Sequence, residues 1–90
     1  MAGLLSIRKL SRVYFESMGS VTIEFGYGLI IVSSSSIGRT SVSVKDAHSV
    51  ISLSEVPNIY IESLTEYSFK VTNRASTPAY MDIVIVGCLI

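Results

Sequence analysis

Ninety residues leave room for one hydrophobic core, and a chain this short buries only about 60 to 65% of the surface its unfolded form exposes, so a second core is excluded. Hydrophobic residues make up 49% and charged residues 16%, against about 25% charged in an ordinary soluble domain, so some apolar surface is expected to meet another chain. Seven Lys and Arg balance seven Asp and Glu without a basic block, and the field that captures a nucleic-acid backbone is missing.

The chain opens on "MAGLLSIRKL", with its basic residues after a short apolar stretch, the reverse of a secretory signal, so the mature protein is expected to start near Met1. From there period-two alternation dominates: Val21, Ile23 and Phe25; Val42 and Val44; Ile59 and Ile61; Tyr67, Phe69 and Val71; Ile83 and Ile85. Strands are predicted over residues 4–10, 12–17, 20–25, 29–33, 40–45, 49–53, 58–62 with 66–72, a pair that counts as one strand or two, and 80–86. Turn chemistry separates them at Met18-Gly19, Gly26-Tyr27-Gly28, Asp46-Ala47-His48, Val56-Pro57-Asn58 and the run from Asn73 to Pro78. The serine run in "GLIIVSSSSIGRTSVSV" is too short for a domain linker and lies between two strand-like segments, so it reads as a hairpin loop, with a contact role for Ser33 to Ser36 left open. "SLTE" matches a helix capping box, but the alternation after it is that of a strand. "VYFESM" at 13–18 and "IYIESL" at 59–64 echo each other, as alternating strands do by chance. The C-terminal "IVIVGCLI" falls far short of the roughly 20 residues that span a bilayer, so no membrane span is expected. Short strands at even spacing predict an all-β fold, a single antiparallel β-sandwich of about eight strands over residues 1–90, jelly-roll-like.

Chemistry is sparse. His48 is the sole histidine, which removes multi-histidine metal sites, and it reads as a solvated turn residue. No G-x-S-x-G elbow accompanies the serines. Glu16 and Glu62 read as strand-end charges and Glu55 as a loop charge, and a sandwich this small has little room for the deep cleft of a glycosidase, so no enzyme activity is expected. Gly26-Tyr27-Gly28 lacks the lysine and helix of a phosphate loop and reads as a tight turn. No cofactor or metal is predicted. Tyrosines 14, 27, 60, 67 and 80 carry amphipathic rings suited to sugars or subunit contacts, Tyr27 being the one displayed between glycines. Cys88, the single cysteine, sits in an apolar tail and reads as a buried or interface thiol.

The stretch "YGLIIVSSSS" followed by "YSFKVTNRASTPAYMDIVIVG" resembles the terminal β-domains of bacteriophage fibres and related virion proteins, through Gly28 to Ile30, Tyr67 to Asn73 and Tyr80 to Gly87. The likeness covers about two thirds of the chain, from Ser20 onward. It implies a non-enzymatic virion component, usually a trimer, serving as a fibre tip, a receptor-binding module or a capsid decoration. The chain departs from the fibre pattern in lacking a long N-terminal shaft or coiled coil, which favours a compact virion protein or an excised domain. The expected partners are copies of itself, other virion proteins and a host-surface glycan. Candidate contact-loop residues are Tyr27, Ser34, Ser35, Ser36, Arg39, Arg74 and Thr77, and candidate subunit-interface residues are Tyr67, Phe69, Tyr80, Cys88, Leu89 and Ile90. A free carbohydrate-binding module that uses Tyr27 and neighbouring loops is the alternative.

Overall fold

The structure, a computed structural model, describes residues 4–34, 39–46 and 49–89. Among them the chain forms eight strands: β1 (Leu4–Phe15), β2 (Ser20–Glu24), β3 (Gly28–Ser34), β4 (Arg39–Lys45), β5 (Val50–Ser54), β6 (Ile59–Thr65), β7 (Ser68–Asn73) and β8 (Ala79–Leu89). No helix of the described residues is long and apolar enough to cross a membrane. The strands pair antiparallel in a five-stranded sheet, β1-β8-β3-β4-β5, and a three-stranded sheet, β2-β7-β6. The all-β sandwich expected from the alternation is the fold. β1 pairs with β8 in the large sheet and β2 with β7 in the small one, and the meander β3-β4-β5 and the hairpin β6-β7 complete the layers.

Period-two patterning explains the core. Ile30 and Val32 of β3, Met81, Ile83 and Ile85 of β8, Ile23 of β2, Ile59 of β6, and Phe69 and Val71 of β7 all point between the sheets. Phe15 and Ala79 join them at one end of the sandwich, and Phe25 closes the other, edge-to-face on Phe69 with ring centroids 6.1 Å apart. The Phe25 ring comes close to Gly87, which pairs directly with Gly28. A Cβ on Gly87 would sit 2.6 Å from that ring and 2.3 Å from the Tyr27 carbonyl oxygen, so the site requires glycine.

Three features differ from the sequence expectation. The predicted strands 4–10 and 12–17 are one strand, β1, which bulges between Leu10 and Val13, where Arg12 turns to φ 52° and its amide donates to Asp82 Oδ1 at 2.8 Å. Long pairing with β8 holds both halves in one ladder. The pair 58–62 and 66–72, which the alternation left to count as one strand or two, is two strands, β6 and β7, in line with the second reading, and their turn is closed by the Tyr67 amide donating to Thr65 Oγ1 at 3.1 Å. Ser34, expected in a contact loop, is buried at the end of β3, its hydroxyl 3.3 Å from the Tyr80 carbonyl oxygen. Phe69, expected at a subunit interface, is wholly buried, because the register Ile23↔Phe69 places it on the inner face of the small sheet. It offers nothing to a neighbour. The hairpin that joins β3 to β4 is formed, with Ser34 opposite Arg39, while residues 35–38 of its loop and His48 lie outside the described residues.

Candidate functional site

The two sheets have contrasting outer faces. On the small sheet the outward positions are Ser20, Thr22 and Glu24 of β2, Ser68, Lys70 and Thr72 of β7, and Tyr60 and Glu62 of β6, with Lys70 Nζ 3.0 Å from Glu62 Oε1. This face is built for water. On the large sheet, registered pairs share a face, so one outward row runs Ile7, Val86, Leu29, Val44, Ile51 across all five strands. The next row adds Lys9, Val84, Ile31 and Val42, and Leu53 stands exposed beside them on β5. Strands about 4.8 Å apart carrying two such rows make a continuous aliphatic surface on the order of 350 Å², a size at which apolar patches on small proteins serve interaction. Ile7, Ile51 and Leu53, on the two edge strands, are the most exposed of its members.

β4 makes this face through an inverted pattern. Its register pairs Ile30 with Ser43 and Val32 with Ser41, and since β3 sends Ile30 and Val32 inward, Ser41 and Ser43 must point inward and Val42 and Val44 outward. The serines become the inner floor of a second feature, a cleft of about 730 Å³ between β4-β5 and the β6 edge. The small sheet is two strands narrower than the large one, so it covers the inward residues of β4 but leaves β5 largely exposed beside the cleft. At its rim the Arg74 guanidinium lies 3.7 Å from the centroid of the Tyr60 ring, and the Arg74 amide donates to the Asn58 carbonyl at 2.8 Å.

The remaining expected site residues are scattered. Tyr27 is exposed in the turn before β3, whereas Arg74 and Thr77 lie in the turn between β7 and β8, at the opposite end of the sandwich. The six steps of β3 between Gly28 and Ser34 separate the two ends by about 20 Å, so Tyr27 does not join Ser34, Arg74 and Thr77 in one site. Tyr67 is 69% exposed in the β6-β7 turn. Tyr80 is on the outer face of the large sheet, edge-to-face with Tyr14 at 5.3 Å and capped by Arg12 at 5.0 Å. Ser35, Ser36 and Ile90 lie outside the described residues, and of Arg39, Cys88 and Leu89 the backbone alone is described, Cys88 pairing with Leu5 and Leu89 with Leu4. The sequence reading missed the aliphatic outer rows and the serine floor, and the signal was there in "GLIIV", which is apolar on both parities.

One buried charge braces the Tyr27 end. Lys45 Nζ donates to the carbonyls of Asp46 and Thr65, both at 3.0 Å, and reaches those of Gly26 and Glu66 at 3.4 Å. The lysine thus ties the loop before β3 and the β6-β7 turn to the end of β4. Burial pushes its pKa below the ordinary 10.5, against the opposing pull of the Asp46 and Glu66 charges.

No protein-family model, no curated protein and no solved structure matches the chain.

Proposed function

We propose that this protein is a non-enzymatic structural and attachment subunit of a bacteriophage particle that acts by self-association, as a fibre tip, attachment module or capsid decoration. The observation that carries self-association is the aliphatic row across all five strands of the large sheet, opposed to a polar outer face on the small sheet. One face suits water and the other suits protein. A second copy of this chain is the occupant, since the two outward rows carry a single charge, Lys9 on the edge strand β1, so the aliphatic positions can be buried on an identical face with that ammonium kept at the rim, and association would also cover the edges at β1 and β5. The virion setting and the trimer are supported by the resemblance of "YGLIIVSSSS" and "YSFKVTNRASTPAYMDIVIVG" to fibre-terminal domains.

Sedimentation velocity over a concentration series tests the reading. A discrete trimer, or another closed oligomer, supports it. A protein that stays monomeric at every concentration overturns it, and a monomer that binds glycans supports the free carbohydrate-binding module instead.

A further inference from the structure

We infer that the outer face of the large sheet carries, at the end away from the aliphatic rows, a binding platform for a saccharide that bears a carboxylate. The case starts from the bulge in β1. Among the described residues, Arg12, Met18 and Asn58 hold a positive φ without being glycine, and of these Arg12 alone lies inside a strand. Left-handed backbone disfavours a residue with a Cβ, and glycine or asparagine would hold this bulge with less strain. The bulge is also secured without the arginine side chain, because it is the Arg12 amide that donates to Asp82 Oδ1. Strain kept where the backbone does not need the side chain marks the side chain as the reason for it.

That side chain is placed and left open. The Arg12 guanidinium lies 5.0 Å from the centroid of the Tyr80 ring, and among the described residues it has no ion pair and donates no hydrogen bond. Tyr80 sits opposite Tyr14, edge-to-face at 5.3 Å, and the two rings are 46% and 50% exposed. Asp82, the next outward residue of β8, is registered with Ser33 of β3, so a hydroxyl stands beside the carboxylate on the same face. Four residues of β8 put Tyr80 about 13 Å from Val84, the nearest member of the aliphatic rows on that strand, so the platform lies clear of them.

These groups set the ligand class. A planar guanidinium with free donors pairs best with a carboxylate, which accepts two of its N–H groups in parallel. Lys9, registered with Val84 on the same face, offsets the Asp82 charge, so the ligand carboxylate is not repelled from Arg12. Two amphipathic rings on an open sheet take the apolar side of a pyranose, while Asp82 and Ser33 exchange hydrogen bonds with its hydroxyls. A uronic or sialic acid carries all three kinds of group on one ring. The inference deepens the attachment role proposed above and rests on that reading, but not on self-association.

Titration of the isotope-labelled chain with 3′-sialyllactose and digalacturonate tests the platform by amide chemical shifts, with lactose as the neutral probe and inorganic phosphate as the bare anion. At least one acidic sugar should give saturable shifts centred on Arg12, Tyr14, Tyr80 and Asp82 and bind about 10-fold tighter than lactose, with phosphate giving none at those residues. Arg12→Gly removes the guanidinium at a backbone position that favours glycine. It should hold or raise Tm while weakening the acidic sugar about 10-fold, a split that a merely structural arginine does not give. Tyr14→Ser, at a half-exposed position, should also weaken binding and decides the matter if Arg12→Gly fails to fold. Absence of shifts with both acidic sugars, equal affinity for lactose, shifts with phosphate alone, or unchanged affinity in the folded variants overturns the inference. Sedimentation of the same samples reads self-association separately, so an intact oligomer that ignores acidic sugars sinks the platform and leaves self-association standing.

Discussion

Replacing Lys45 with methionine should remove the brace at the Tyr27 end while nearly preserving side-chain length. The magnitude follows from the two contacts at 3.0 Å, to the Asp46 and Thr65 carbonyls. Hydrogen bonds from a charged donor contribute about 1.5 to 3 kcal/mol each, and the lower end applies because the ammonium has been drawn out of water. Two such bonds give a loss of about 3 to 4 kcal/mol, with the weaker contacts at 3.4 Å to Gly26 and Glu66 adding little. For a domain of this size that corresponds to a fall in Tm of roughly 12 to 30 °C. Urea unfolding followed by far-ultraviolet circular dichroism reads it directly. The pH dependence adds a signed test, since the folded-state pKa lies below 10.5 and the unfolded chain therefore holds more protons between the two values. Stability from this group is present above 10.5 and lost as pH falls through the lowered folded value, so the wild type should gain stability as pH rises through that window, and Lys45→Met should lose that increment. A loss below about 1 kcal/mol with the alkaline slope intact would refute the bracing role.

Ile51→Ser probes the outer face. Ile51 is 58% exposed, and full burial of such a side chain contributes about 1.5 to 3 kcal/mol, so each chain should lose about 0.9 to 1.7 kcal/mol of association energy. A symmetric pair loses twice that, a rise in Kd between about 20-fold and 300-fold by sedimentation, with urea stability measured at a monomeric concentration unchanged within about 0.5 kcal/mol. Gly87→Ala should destabilise by at least about 1 to 3 kcal/mol, because its Cβ meets the Tyr27 carbonyl and the Phe25 ring, and thermal melting measures the loss. Asn73→Ala should cost about 2 to 4 kcal/mol in urea unfolding, since its buried side chain donates to the Glu16 and Thr77 carbonyls and accepts from the Ala75 amide.

Alternation in the chain carried the fold class and most of the strands, because a sheet with one face in the core writes a period of two into the sequence. It could not say which way a strand faces. "TSVSV" has the alternation of a half-buried strand with its valines inward, but pairing with β3 turns Val42 and Val44 out and Ser41 and Ser43 in. Facing is a property of register, and register here depends on residues brought together from distant parts of the chain. Both the aliphatic face and the serine floor follow from that one inversion. The Arg74 contact with Tyr60 was likewise out of reach, since it joins the start of β6 to the turn after β7. Phe69 was placed at an interface because an aromatic on an alternating strand looks the same whether its burial is completed by the facing sheet or by another subunit. The gap at Ser11, by contrast, separated two predicted strands, and it proved to lie in a bulge between Leu10 and Val13 rather than at a boundary.

The position of β8 has a consequence for how the molecule is made. It lies between β1 and β3 in the large sheet, so the last strand synthesised must enter as a central strand and satisfy two ladders at once. At about 5 to 20 residues per second on the ribosome, β1 waits several seconds for β8, its one neighbour in the sheet among the described residues, and β3 carries an open edge for nearly as long. Nascent chains truncated before residue 79 should therefore be sticky and protease-sensitive, with protection arriving in a single late step.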